Sequence, residues 1–221
     1  MNPDATATQS NPGVFRVSRE SPGSGPGGDA TQGRGHPAPG SIGLWVFMAV
    51  VTSLFALFLA AYVMRMDSPD WHRIALPWQV WLSTALLMGA SVAMAVASRA
   101  SRAGRMADAR RALRLGALGA AAFVGSQLWA WSALHAIQVG FASNPAGSFF
   151  YLLTAMHGLH MLGGLIGYTV VASDRGSGVR TQTRIALCAR YWHFLLAVWL
   201  VLLATLGWLT PELVDFICGR G

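Results

Sequence analysis

The chain has 221 residues, of which 53% are hydrophobic and only 11% charged, and its mean hydropathy is +0.44. Soluble domains carry about a quarter charged residues, so this balance excludes most soluble folds and predicts a membrane protein. All 16 basic residues are arginine and the net charge is +7, but the arginines fall between long apolar runs rather than along one polar face. That pattern reads as membrane topology and not as binding of nucleic acid.

In chain order, the first 40 residues hold eight Gly, six Pro and four Ser and show no apolar periodicity. Such a segment buries too little surface to offset the entropy of ordering, so residues 1–40 are predicted to be a disordered tail. Its one apolar cluster, Val14, Phe15 and Val17, is broken by Arg16 and falls short of a signal-peptide core. From Ser41 the character changes. About 20 apolar residues cross a hydrocarbon core, and five runs of that length occur: Ile42 to Met64, Leu76 to Ala97, Ala112 to Ile137, Ser148 to Ala172 and Ile185 to Leu209. Trp45, Trp71, Trp78, Tyr168 and Trp208 lie near the run ends, where amphipathic rings favour the interface. The expected fold is all-α, a five-helix transmembrane bundle over residues 41–211, with a short external segment over 212–221.

The arginines between the runs orient the bundle. The tail (three), the second loop (six) and the segment between runs four and five (four) hold thirteen, against three in Arg65, Arg73 and Arg220 on the other side. The positive-inside rule therefore predicts a cytoplasmic N-terminus and an external C-terminus. Arginine without lysine, together with abundant Ala and Gly, suggests a GC-rich bacterial genome. Cys188 and Cys218 have no CxxC or Cys/His companions, so no metal or disulfide framework is expected.

All nine acidic residues lie outside the five runs. A carboxylate inside a span is costly and is kept for function in pumps, so this chain has no carboxylate relay of its own. Neither an inverted repeat nor a broken-helix pair marks a small transporter. The intramembrane ionisable groups are His135, His157, His160 and His193. Two roles fit them. Imidazoles on facing helices ligate haem iron, which would make a stand-alone membrane cytochrome b; alternatively, neutral imidazoles hydrogen-bond across helices and fix their packing. His157 and His160, three apart on one helical face, have the wrong spacing to share one haem. Gly158, Gly163, Gly164 and Gly167 on the fourth run, and Gly116, Ala120 and Gly125 on the third, predict close helix approach.

The stretch Phe150-Tyr151-Leu152-Leu153-Thr154-Ala155-Met156-His157-Gly158-Leu159-His160, followed by Gly164, resembles the FY-x-x-T-x-x-HG-x-H-x-x-x-G signature of subunit III of haem-copper oxidases. Tyr191-Trp192-His193-Phe194 with Trp199 is similar to that family's YWHF-x-x-x-x-W. Trp45-Val46-Phe47, Ala90-Ser91, and Gln127 with Trp131 fall where the family has W-x-F, a Ser-Ser pair and Q-x-x-E-W. The resemblance covers about Ser41 to Leu209 in the spacing of the five-helix bacterial form. It departs at three positions: Val51, Ala130 and Leu196 stand where the family usually carries acids.

The resemblance implies an accessory subunit that binds no haem, copper or other metal itself and has no catalytic activity of its own. Its expected partners are subunits I and II of the oxidase, which carry the haem and copper, and phospholipids. His157, His160, Tyr191, Trp192, His193, Gly158, Gly164, Gln127 and Trp131 are then expected to pack helices, line a lipid cleft or contact a subunit. A subunit III-like protein associated with nitric oxide reductase is the alternative within the family.

Overall fold

Three of the five helices begin at or just after a proline, a residue that suits a first turn because its missing N–H has no helical partner there. The computed structural model describes residues 39–66, 68–71, 76–136 and 145–209. Among these, the regular elements are five helices: α1 (Pro39–Arg65), α2 (Gln79–Arg102), α3 (Met106–Ala136), α4 (Pro145–Ser173) and α5 (Val179–Trp208). The tail reading falls outside the described residues except at Pro39 and Gly40, which open α1. The external C-terminal segment and Cys218 also lie outside them.

Four helices, α1, α2, α4 and α5, are long and apolar enough to cross a membrane. The 31-residue α3 has the length but is more polar, because it carries Ser126, Gln127 and three arginines in its first nine residues. The helices run past the apolar limits at the arginine-rich end, α3 by six residues from Ala112 back to Met106. Backbone hydrogen bonding continues where apolarity stops, so hydropathy underestimates helix length there.

α2 to α5 close a ring in which α2 meets α3, α3 meets α4, α4 meets α5 and α5 returns to α2; α1 lies outside, against α4 and α5. Three residues, 103–105, separate α2 from α3. Gly104, at φ +75°, donates its N–H to Ser101 O (3.1 Å) while Arg105 N–H reaches Ala100 O (3.0 Å). These paired bonds form a Schellman stop, whose left-handed residue favours glycine. The turn makes α2 and α3 antiparallel neighbours, and small residues then let them approach. A Cβ on Gly119 would meet Ala90 Cβ at 3.1 Å, and one on Gly116 would meet Met94 Cε at 2.8 Å.

The expectation for the glycines therefore holds on α3 at Gly116, with Ala120 fully buried, but not at Gly125, which faces open space. On α4 only Gly164 meets another helix: its Cβ would lie 3.0 Å from Tyr191 Cε1. Among the described residues, nothing lies within 4 Å of a Cβ built on Gly158, Gly163 or Gly167. Gly163 and Gly167 instead line an apolar groove of about 270 Å³ together with Leu44, Val170 and Leu187.

The α4–α5 connection is held by polar contacts. Asp174 Oδ1 accepts from Gly176 N–H at 3.0 Å, and Asp174 Oδ2 accepts from Arg184 Nη1 at 2.9 Å. Arg110 of α3 donates to Arg175 O at 2.7 Å, tying the connection to the ring. The turn N–H of Gly176, followed by the Thr181 and Arg184 side chains, holds the Asp174 carboxyl below its ordinary value.

Candidate functional site

Inside the ring, polar side chains cross between helices at successive levels, and a common device makes them compatible with a dry interior. Ser83 and Thr84 each donate their hydroxyl to Val80 O one turn earlier, both at 2.8 Å. The proton is thus used within α2, and the oxygen lone pairs remain to accept from neighbours. Ser83 Oγ accepts from Gln127 Nε2 of α3 at 2.6 Å. Thr84 Oγ1 accepts from Trp199 Nε1 of α5 at 2.9 Å. Adjacent residues on one helix thereby address two different neighbours. Thr154 repeats the device on α4: it donates to Phe150 O at 2.6 Å and accepts from Trp131 Nε1 of α3 at 3.1 Å. The Tyr151 hydroxyl adds a bond to Trp131 O at 3.3 Å.

Two further contacts tie α5 to its neighbours. Ser91 Oγ pairs with His193 Nδ1 at 2.8 Å, seven residues along α2 from Thr84. Tyr191 donates its hydroxyl to His160 O at 3.0 Å, and its ring lies over Gly164. Any side chain larger than hydrogen at 164 would push that ring and its hydroxyl away from α4.

The histidines have three different environments. Among the described histidines, His193 makes a side-chain hydrogen bond to another helix, to Ser91 of α2. His160 bonds Met156 O at 2.7 Å within its own helix and faces the Phe55 ring at 5.5 Å. His157 is fully buried, and neither of its nitrogens has a hydrogen-bond partner among the described residues. It is boxed by Trp199 of α5 (5.2 Å), Phe123 of α3 (5.6 Å) and Phe55 of α1 (6.4 Å). A side-chain bond between helices thus describes His193, whereas His160 bonds within α4 and His157 is enclosed by rings. Surroundings explain the difference: the groups ranged about the His157 ring are the aromatic rings of Phe55, Phe123 and Trp199.

Trp192 is fully buried and Trp199 is 1% exposed, so two of the largest side chains fill the ring on the α5 side. Gln127 and Trp131 lie one turn apart on α3 and reach opposite neighbours, α2 and α4. A Cβ built on Gly158 would meet open space among the described residues. Ser83 and Thr84 were not singled out by sequence; their signal is a hydroxyl pair in a span, seven residues before the Ala90-Ser91 pair. Val51 and Ala130 are buried and Leu196 is half-buried, so two of the three positions lacking a family acid point into the protein. No group of three or more His, Cys, Asp or Glu side chains able to hold a metal ion occurs among the described residues. Cys188 is a free thiol in α5.

Residues 41–210 match the family model described as cytochrome c oxidase subunit III. The chain is 30% identical over 168 residues to cytochrome bo(3) ubiquinol oxidase subunit 3 of Pseudomonas aeruginosa, covering 72% of this chain and 79% of that protein. It is 28% identical over 184 residues to cytochrome c oxidase subunit 3 of a Synechocystis species, covering 79% and 78% respectively. It is 26% identical over 166 residues to cytochrome c oxidase subunit 3 of Bacillus subtilis, covering 72% and 80%. The chain belongs to the cytochrome c oxidase subunit III family. Four long apolar helices and this membership make it a multi-pass membrane protein.

Proposed function

We propose that this chain is the accessory, cofactor-free subunit of a bacterial haem-copper respiratory oxidase, packed on catalytic subunit I in a complex that also holds subunit II. It works by holding its helices and bound phospholipid against the catalytic subunit during turnover, and not by chemistry of its own. The observation that carries this reading is the fate of the family signature residues. Thr154, Tyr191, His193, Gln127, Trp131 and Trp199 are used in contacts between helices, and His157 is enclosed by aromatic rings. Residues so committed form a rigid insert rather than a reaction centre. With the arginine-rich end in the cytoplasm, the α2–α3 and α4–α5 turns face inward and the N-terminus is cytoplasmic.

The oxidase reading is favoured over association with nitric oxide reductase by the relatives, which include subunits 3 of both ubiquinol and cytochrome c oxidases. A stand-alone cytochrome b is disfavoured by the commitments of His160 and His193. Affinity purification in mild detergent should recover a haem-bearing catalytic subunit with this chain; recovery of the chain alone, or with a nitric oxide reductase subunit, would reject the reading. Replacing His157 and His160 together by Leu should leave the haem spectrum of the purified complex unchanged. A changed spectrum with the chain still bound would assign these imidazoles a ligand role.

A further inference from the structure

At the arginine-rich end a crevice of about 520 Å³ opens between α2 and α5. Arg99 and Arg102 line it from α2 and Arg190 from α5, with Ser98, Gln182 and Thr183 beside them. No carboxylate lines it among the described residues. The four ion pairs among the described residues involve Arg65, Arg105, Arg111 and Arg184 instead. Two of the three crevice guanidiniums are held in place: Arg102 Nη2 donates to Ser98 Oγ at 2.9 Å, and Arg190 lies 5.7 Å over the Trp45 ring of α1. Three like charges in one crevice repel one another, and an anion with several oxygens offsets that repulsion through the forked donors of arginine. The first turn of α5, whose Val179 also lines the crevice, adds its positive end and carries no side-chain cap.

The shape selects the kind of anion. Ala95, Ala186 and Ala189 continue the crevice along the helices, and its deep end reaches His193, 14 residues and therefore about 21 Å of helix rise from Val179. A cationic mouth leading onto a narrow floor of small side chains fits a headgroup with an acyl chain running from it. A free phosphate would leave that floor uncovered. Positive-inside topology accounts for arginines at this end but not for their convergence on one crevice; Arg175 and Arg180, at the same end, do not line it.

We infer that the α2–α5 crevice is a site for an anionic glycerophospholipid from the adjoining leaflet, with its phosphate held by Arg99, Arg102 and Arg190. This deepens the accessory-subunit proposal, on which it rests for the membrane setting, by locating one lipid and stating its headgroup charge.

The test is native mass spectrometry of the full chain purified in mild detergent with added phosphatidylglycerol, phosphatidylcholine or inorganic phosphate. The wild type should retain one phosphatidylglycerol preferentially. R99Q/R102Q/R190Q should lose it by roughly tenfold or more, as expected for three arginines near a headgroup, and R175Q/R180Q should keep it. A photoactivatable phosphatidylglycerol should crosslink wild-type peptides of α2 and α5, a readout that does not depend on the triple variant folding. Equal retention of phosphatidylcholine, equal loss in R175Q/R180Q, or crosslinks confined to other helices would overturn the inference. Displacement of the lipid by millimolar inorganic phosphate would overturn it in favour of a free-anion site. Lipid retention without a co-purifying catalytic subunit would reject the oxidase proposal and leave the crevice standing; the reverse would reject only the crevice.

Discussion

α1 and the α2–α3 pair show that apolarity and attachment are different properties in a membrane protein. α1 is the most apolar of the candidate spans and the least buried. Trp45, Val50, Leu57 and Met64 are more than half exposed, and a narrow stripe of Met48, Val51, Phe55 and Tyr62 faces the bundle. Its Thr52 and Ser53 bond carbonyls of α1 itself. α3 is less apolar, yet Ala109, Ala120 and Ala130 are fully buried, and it touches α2 almost backbone to backbone at Gly119. Lipid tails are as apolar as leucine, so hydrophobicity inserts a helix without choosing its neighbour. Close approach of small residues and hydrogen bonds between helices make that choice.

The comparison is tested most strongly at two tryptophans. Trp199→Ala removes a buried indole that touches Phe123 and His157 and bonds Thr84, and should cost about 3–5 kcal/mol. Trp45→Ala, at an exposed position on α1, should cost about 1 kcal/mol or less through its cation–π contact with Arg190. Unfolding midpoints in mixed detergent micelles measure both, and equal losses would break the distinction between ring and periphery.

A second test uses the absent acids. Val51 is 2% exposed on the buried stripe of α1, and a glutamate there should cost about 2.5–3.5 kcal/mol on insertion scales. Because the site faces the protein, V51E should create a new position in α1 labelled by dicyclohexylcarbodiimide, while the wild-type chain shows no labelling in the apolar runs of α1, α3 and α5, which exclude Asp108 at the start of α3. Mass spectrometry of membrane peptides reads the outcome, and efficient wild-type labelling in those runs would contradict the placement of the acids.

The glycines sharpen the contrast at lower cost. Gly119→Val puts its branches against Ala90 and the Leu86 carbonyl and should destabilise by about 1–3 kcal/mol through overpacking. Gly163→Val opens onto free space within the chain and should change the stability of the isolated protein by less than about 0.5 kcal/mol. A large loss at Gly163 in the purified complex alone would place a partner against the α4 groove.

The smallest effect concerns the α4–α5 turn. The folded state holds the Asp174 carboxyl below its ordinary value, so its contribution is complete above the unfolded value of about 3.9 and is lost as pH falls through the depressed folded value. Wild-type stability should therefore fall on acidification below about pH 4 more steeply than that of Asp174→Asn. Parallel melting curves of the two forms across pH 3 to 6 would remove Asp174 from the acid response.

Hydropathy and arginine placement were enough to locate all five helices, because insertion depends on composition integrated over about 20 residues. They missed the true starts of α3 and α5, since Met106 to Arg111 and Val179 to Arg184 are helical while polar. The family resemblance pointed to Gln127, Trp131, Tyr191 and His193 as candidates for helix packing, a lipid cleft or a subunit contact, with Thr154 and Trp199 in the same motifs. What each one touches was not legible. His157 and His160 are indistinguishable by spacing, yet one is boxed by rings at the centre of the bundle and the other is bonded to its own helix. Gly163 and Gly167 have the motif of a helix contact but line a groove instead. Composition and local period determined where the helices lie, and the arginine count sets the orientation that the positive-inside rule predicts. Which faces meet, which hydroxyl serves which neighbour, and where three arginines converge depend on helix rotation and ring order, and only the tertiary structure decides those.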